Sequence, residues 1–207
     1  MSNNKTPGEL PPGLQRILDR KELFIKFGYN IDRERDAILD QSSPLRGKIL
    51  EVGTGKGHFA AALAKRGISF ISVDISREDQ ELATLYLKFL KLNHFADFRL
   101  QSGEKLDFEA GSFDMVFSIS ALHHFERPFS VIDELVRVLA PNGRLILSDF
   151  SEKGFETIDQ IHALDGDVHD RGKTKLQEVE FYLLQKNFRA QRFGTVHHET
   201  LIAEKPQ

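Results

Sequence analysis

The chain has 207 residues and no cysteine. It therefore has no disulfides, no thiolate metal ligands and no cysteine nucleophile, which also excludes the covalent route to C5-methylated cytosine. No apolar run approaches the roughly 20 residues that span a membrane, and residues 1–12 lack the charged-then-apolar pattern of a secretory signal. We therefore expect a soluble, cytoplasmic protein without a membrane partner.

Neither sign of charge dominates, because 28 lysines and arginines face 31 acidic residues and the net charge is -3. This balance gives no overall attraction to nucleic acid or to an anionic membrane. A hydrophobic fraction of 40% over this length is sufficient for one sizeable α/β domain with an appendage. We expect a tail and helical lid over residues 1–45 and the main domain over residues 46–207.

Residues 48–59 predict a buried strand, a glycine turn and the start of a helix. An apolar run of strand length ends at Val52, and Gly53, Gly55 and Gly57 follow at alternate positions. Glycine tolerates positive φ and lets a ligand approach bare backbone. Strand, glycine turn and helix in this order open a nucleotide-type site in a doubly wound sheet. An ordinary strand–helix turn would give the same pattern.

The spacing of the glycines argues against two nucleotide sites. The dinucleotide fingerprint needs a glycine where this chain has His58, and a P-loop needs a Gly-Lys-Ser/Thr run that is absent. An acid precedes the glycines, and the pattern Glu51-x-Gly53-x-Gly55-x-Gly57 resembles motif I of the class I, Rossmann-like S-adenosylmethionine (SAM) dependent methyltransferases of type 11. The resemblance implies that SAM is the cofactor and that Glu51, Gly53, Thr54, Gly55 and Gly57 bind it.

A second acid ends the next predicted strand. Asp74 lies about 20 residues after the start of the glycine turn, the spacing at which an acid accepts hydrogen bonds from ribose hydroxyls. The carboxyl end of the strand would bring it beside the turn, although it could also serve only as a strand-end cap. We expect Asp74 and its neighbour Ile75 to bind the cofactor.

Residues 102–108 resemble a loop that commonly reads Asp-Ala-Glu-x-Leu-Pro-Phe in the same family, where the first acid binds the adenine amino group. Here Ser102 replaces that acid and Asp107 replaces the proline. The resemblance therefore implies an adenine contact through the Ser102 hydroxyl, the Gly103 backbone or Glu104.

The fourth predicted strand, residues 111–118, resembles the family's G-S-F-D-x-V motif, and Ser118 at its end joins the expected cofactor site. The loop that follows carries His123 and His124, at the carboxyl edge where open α/β sheets bind ligands. Histidine titrates near neutrality, so both are candidate general bases for an acceptor that binds in its protonated form. Alternatively, they only shape the pocket wall.

The two ends of the chain complete the predicted fold. Near the N-terminus we expect a helix over residues 14–27 and a second one capped by Asp32, with Phe27 and Tyr29 either forming a lid or packing on the core. Near the C-terminus we expect a helix capped by Thr174 and then two strands, over residues 188–193 and 195–203. The predicted fold is a doubly wound α/β domain. Its sheet is mostly parallel and seven-stranded with an antiparallel last strand, and it carries an N-terminal helical extension.

The family resemblance implies methyl transfer from SAM to a small-molecule acceptor. The alternatives are an NAD-dependent oxidoreductase, which would end its sheet with parallel strands, and a non-catalytic SAM-binding module. A nucleic-acid acceptor is disfavoured, because residues 118–121 lack the Asn/Asp-Pro-Pro-aromatic motif of amino-directed nucleic-acid methyltransferases. Arg171, Lys173 and Lys175 form only a small basic patch, which could equally be a solvated helix entrance.

Histidines and acids also cluster between the last two predicted helices, and these residues are His162, Asp165, Asp167, His169 and Asp170. Such side chains could bind a divalent metal, face a substrate or simply be solvated. Because their spacing matches no closed metal site, we assign no metal to them. The sequence predicts no oligomeric state.

Overall fold

A computed structural model describes residues 10–207, and residues 1–9 of the predicted tail lie outside this range. The helices are α1 Pro12–Lys26, α2 Ile31–Gln41, α3 His58–Lys65, α4 Arg77–Phe89, α5 Pro128–Val138, α6 Glu152–Leu164 and α7 Leu176–Gln185. The strands are β1 Ile49–Val52, β2 Phe70–Asp74, β3 Ala96–Leu100, β4 Phe113–Ile119, β5 Leu139–Phe150, β6 Arg189–Gly194 and β7 His198–Glu204. Short 3₁₀ turns form at Asn93–Phe95 and Leu122–His124.

The strands form one seven-stranded sheet in the order β3-β2-β1-β4-β5-β7-β6. Strands β1 to β5 pair in parallel, whereas β7 runs antiparallel to both β5 and β6. This confirms the predicted fold class, including the antiparallel last strand. The strand order reverses between β1 and β4, and ligands bind at the carboxyl ends of the strands beside such a switch point.

Helices cover both faces of the sheet. One face packs against α5 and α7, where Val131, Leu135 and Val179 are buried with Leu145 of β5. The other face packs against the alanine-rich α3, and the first two helices join the same apolar cluster through residues such as Ile17 and Ile38. Because both faces are covered, the central strands β1 and β4 are buried almost continuously along their length, rather than at every second residue.

The N-terminal helices differ from the prediction at their junction. The Asn30 side chain accepts a hydrogen bond from Arg33 N at 3.1 Å and caps α2, so the predicted cap Asp32 is wrong. Asp32 is the second residue of α2 and pairs with Lys21 at 2.7 Å. Of the two lid candidates, Phe27 is half-buried and Tyr29 is 1% exposed. Tyr29 therefore packs on the core, the second of the two predicted alternatives, and does not form a lid.

One predicted helix cap in the second half of the chain also needs correction. Helix α7 has Lys175 as its N-terminal cap rather than Thr174, and the Glu178 carboxylate accepts from Lys175 N at 3.1 Å. Strand β5 begins at Leu139, which pairs with Phe113 before the register shifts. Residues 141–143 lie within this strand, and Asn142 has a φ of 57°.

None of the helices formed by residues 10–207 combines the length and the apolarity needed to cross a bilayer. The division at residue 45 and the cytoplasmic location stay predictions.

Candidate cofactor and acceptor site

The glycine turn joins β1 to α3 at the switch point of the sheet. Gly53 N and Thr54 N both donate to Val73 O, at 2.9 and 3.3 Å, and tie the turn to β2. A Cβ added to Gly55, whose φ is 48°, would meet no atom within 4 Å. Bare backbone therefore faces open space at Gly55, where a ligand can approach it.

The other two glycines of the motif are required by packing. A Cβ on Gly57 would lie 2.8 Å from Ala83 Cβ and 2.9 Å from Ala83 Cα, so this glycine lets α3 pack closely on α4. A Cβ on Gly53 would lie 2.7 Å from Ala121 Cβ in the loop after β4. Of the three motif glycines, Gly55 alone opens onto space that a ligand can fill.

Asp74 ends β2 with its carboxylate aimed at the turn. One carboxylate oxygen accepts from Gly55 N at 2.8 Å and the other from Ser76 N at 2.9 Å. A carboxylate has about four lone-pair sites, so two remain for ribose hydroxyls. The neighbouring side chain of Ile75 is 73% exposed and offers an apolar surface beside them.

Glu51 points into the protein beneath the turn. Ser72 Oγ lies 2.6 Å from its carboxylate and 2.6 Å from Thr54 Oγ1, so Glu51, Ser72 and Thr54 form one buried chain of hydrogen bonds. Burial raises the pKa of Glu51 to about 8, although the hydrogen bond from Ser72 acts to lower it. Glu51 and Thr54 thus hold the turn against β2, and their side chains do not face solvent.

The loop expected to hold adenine lies against the end of β1. A Cβ on Gly103 would lie 3.1 Å from Val52 Cγ1, so the loop backbone sits close to the strand. Ser102 Oγ accepts from Glu104 N at 3.2 Å, and the Glu104 carboxylate pairs with Arg127. Ser118 is buried in β4, and its hydroxyl has no partner.

Arg35 of α2 is a site residue that the sequence did not predict. It is 6% exposed, and its Nη2 donates to Ser120 Oγ at 3.1 Å, directly after β4. Its Nη1 lies 2.8 Å from His198 Nε2, and its Nε has no partner. A buried guanidinium therefore reaches the carboxyl edge of the sheet with one donor free.

Glu34 and His198 hold Arg35 in place. His198 Nδ1 lies 3.2 Å from the Glu34 carboxylate, and burial lowers the pKa of His198 to about 4. The neutral imidazole donates Nδ1–H to Glu34, so its Nε2 accepts from Arg35. Burial would raise the pKa of Glu34, but hydrogen bonds led by those from His198 and Thr195 lower it to about 2.

The two predicted catalytic histidines lie in the 3₁₀ turn after β4. His123 Nδ1 is 2.6 Å from one oxygen of Asp149, and His123 N donates to the other at 3.0 Å. Because Nδ1–H donates to the carboxylate, Nε2 keeps a lone pair, and this buried atom has no partner. Asp149 was not predicted as a site residue, although an acid that follows an apolar run, as Asp149 follows Leu145–Leu147, is a signal for the carboxyl end of a strand.

His124 and His169 adjoin His123. Ring centroids are 4.0 Å apart for His123 and His124, and 5.2 Å apart for His123 and His169. Burial, together with the nearby His123 and His169, lowers the pKa of His124 to about 4. The structure thus joins both predicted catalytic histidines to one histidine from the distant polar segment.

The rest of that polar segment has other contacts. The His162 ring lies 4.9 Å from the His169 ring, and Asp165 pairs with Arg20. Asp167 and Asp170 are exposed. Arg171, from the predicted basic patch, pairs with Asp159 at 2.6 Å and Glu152 at 2.7 Å, so its charge is already balanced.

Aromatic side chains surround the histidines. The Phe150 and Phe155 rings lie 5.6 and 5.5 Å from the His123 ring, and Tyr29 packs 6.1 Å from Phe150. These rings and His123 form one aromatic cluster at the carboxyl edge of the sheet.

Comparisons with known proteins show similarity to methyltransferases. A family model described as a methyltransferase domain matches residues 50–147. A ubiquinone biosynthesis O-methyltransferase from Psychrobacter arcticus is 26% identical over 189 residues, covering 86% of this chain and 72% of that protein. A protein of the same name from Dechloromonas aromatica is 35% identical over 112 residues, covering 53% of this chain and 47% of that protein. The chain thus spans about half the length of this second relative.

The fold is also similar to solved structures. A SAM-dependent methyltransferase from Aquifex aeolicus superposes with a TM-score of 0.66 at 18% identity, covering 95% of this chain and 99% of that one.

Proposed function

Because the chain belongs to the class I, Rossmann-like SAM-dependent methyltransferases, we propose that it transfers the methyl group of SAM to a hydroxyl oxygen of a small, planar acceptor. Family membership favours SAM over the nicotinamide cofactor of the alternative function. What we propose is the chemical class of the acceptor and the residues that bind it.

The residues at the switch point fit SAM. The two free lone-pair sites of Asp74 suit the ribose hydroxyls, and the open space beside Gly55 suits a ligand lying on backbone. The unpartnered donor of Arg35 suits the methionyl carboxylate. When bound, SAM supplies a methyl group on a sulfonium, and the neutral sulfide that remains after transfer is a good leaving group. The protein must then align the acceptor and exclude water.

The observation that carries the choice of oxygen is the pair formed by His123 and Asp149. A hydroxyl must lose its proton as it attacks, and the carboxylate holds His123 in the tautomer whose Nε2 can accept that proton. We propose this role for His123 in the metal-free protein, with Asp149 as its positioning residue. His124, the second predicted catalytic residue, forms the adjoining wall. Both relatives are named O-methyltransferases, which supports the same acceptor atom.

The first experiment incubates the protein with SAM and a panel of small phenols and catechols, without added metal. We expect S-adenosylhomocysteine and a methyl ether in equal amounts, both quantified by mass spectrometry. SAM binding without product from any acceptor would instead support the non-catalytic alternative.

The second experiment removes the base. We expect His123→Gln and Asp149→Asn to lower kcat by roughly 10²- to 10⁴-fold, the usual range for general-base catalysis, without changing the KM for SAM. The loss should be much smaller with 4-nitrocatechol, which is already ionised at neutral pH and needs no base. His94→Ala is the matched control, because this histidine is exposed and lies in the turn before β3. An equal loss on ordinary and acidic phenols would contradict the proton-accepting role.

A further inference from the structure

Three histidines meet at the acceptor end of the site. His123, His124 and His169 each offer a ring nitrogen, and these atoms all lie within 4.8 Å of one another. Within residues 10–207 this is the only group of three histidines and acids so arranged. We propose that it binds a divalent transition metal, with Zn²⁺ the best match. Three imidazoles suit zinc and leave its fourth position open.

Two of the three histidines already have the hydrogen bond that metal-binding histidines use. His123 Nδ1 contacts Asp149 at 2.6 Å, and His169 Nδ1 contacts Asp159 at 3.2 Å. Histidines that bind metals almost always donate the second ring N–H to a carboxylate, carbonyl or water, which fixes the tautomer and aims the other nitrogen at the metal. In both residues Nε2 is therefore the atom left for a ligand.

The unpartnered Nε2 of His123 is a separate observation. Native proteins rarely leave a buried acceptor without a hydrogen bond, because such an atom loses its contacts with water and gains none in return. A metal ion at this nitrogen would satisfy it.

The segment that carries His169 is fixed over His123. A Cβ on Gly172 would lie 2.6 Å from His123 O, so the two backbones are in close contact. Arg171 pairs with Asp159, the partner of His169, and with Glu152. Zn–N bonds of about 2.0–2.1 Å place ligand nitrogens about 3.4 Å apart in a tetrahedral site. Side-chain movements of roughly an ångström would therefore bring the three nitrogens to the separation that a tetrahedral site needs.

The role of the metal rests on the proposed function. The acceptor hydroxyl would occupy the fourth position, where the metal lowers its pKa and the proton leaves to solvent. An oxygen lone pair then forms the new O–CH₃ bond, and the electrons of the S–CH₃ bond return to sulfur. The products are a methyl ether and neutral S-adenosylhomocysteine. With metal bound, His123 would be a ligand, and the metal-lowered pKa of the hydroxyl would take the place of proton acceptance by His123.

The test titrates chelator-treated protein with Co²⁺, whose four-coordinate complexes absorb in the visible. We expect one equivalent to bind with that absorption, and Zn²⁺ to displace it. His124→Ala and His169→Ala should abolish the absorption, and Asp159→Asn should weaken binding 10- to 100-fold, as for other carboxylates behind a ligand histidine. His94→Ala should bind as wild type does. Far-UV circular dichroism and SAM affinity report that each variant is folded.

The inference is overturned if Co²⁺ does not bind, or if His169→Ala and His94→Ala bind it equally. Methyl transfer by the chelated protein would leave the proposed function standing in either case. Conversely, Co²⁺ bound as described but no methyl transfer to any hydroxyl acceptor would remove the proposed function and leave the metal site.

Discussion

Replacing Gly57 with alanine should destabilise the fold more than it disturbs the ligand site. The new Cβ would lie 2.8 and 2.9 Å from two atoms of Ala83, one of them backbone, so α3 and α4 would have to separate. Overpacking of this kind costs about 1–3 kcal/mol. The φ of 81° adds about 1–2 kcal/mol for a residue with a Cβ. We expect a loss of roughly 2–5 kcal/mol, a large part of the 5–15 kcal/mol typical of a domain.

Gly55→Ala is the matched comparison. Its φ of 48° also disfavours a side chain, but no atom lies within 4 Å of the new Cβ. We expect only the backbone cost, about 1–2 kcal/mol, together with weaker SAM binding, because the methyl group enters the space assigned to the cofactor.

Urea unfolding followed by circular dichroism gives the free energy of unfolding of both variants, and calorimetry gives their SAM affinities. The reasoning is refuted if the two variants lose equal stability, or if Gly55→Ala binds SAM as tightly as wild type.

Three further predictions follow from single carboxylates. Asp74→Asn should weaken SAM binding about 10- to 100-fold, since hydrogen bonds to charged groups contribute about 1.5–3 kcal/mol; an unchanged calorimetric Kd would show that the ribose binds elsewhere. Glu51 has its folded pKa raised from 4.5 to about 8, so its ionisation opposes folding. The stability of wild type relative to Glu51→Gln should fall as pH rises from 4.5 to 8, by up to about 1.4 kcal/mol per unit, and a flat difference in urea midpoints would contradict this. Glu34 has its pKa lowered from 4.5 to about 2, so its contribution is complete above pH 4.5 and lost towards pH 2. When Glu34→Gln is unfolded by acid, the loss of stability that Glu34 contributes between pH 4.5 and 2 should be missing. An acid-unfolding profile identical to that of wild type would argue against this contribution.

The seven-stranded, mostly parallel sheet and its antiparallel last strand could be predicted, because each strand carries its own apolar run and the motifs occur in family order. The helix caps were harder to predict. Asn30 and Asp32 are both good caps, and only the start of α2 at Ile31 decides between them. Thr174 was a better cap by residue type than Lys175, yet the chain turns into α7 one residue later.

The candidate site was predicted where the function of a residue is local to its motif. Asp74 meets the glycine turn because parallel strands end at one edge. The packing role of Gly57 depends on Ala83, and the inward orientation of Glu51 depends on Ser72, so neither is visible in the motif itself. Likewise, no spacing in the sequence relates His169 to His123, because the fold alone brings the two segments together.

The measurement that tests the account most directly is a crystal structure with S-adenosylhomocysteine and a catechol bound. We predict that the ribose hydroxyls contact Asp74, that the methionyl carboxylate contacts Arg35, and that a catechol oxygen lies between the sulfur and the three histidines. A product molecule bound away from the glycine turn, or a catechol bound away from His123, would contradict the account.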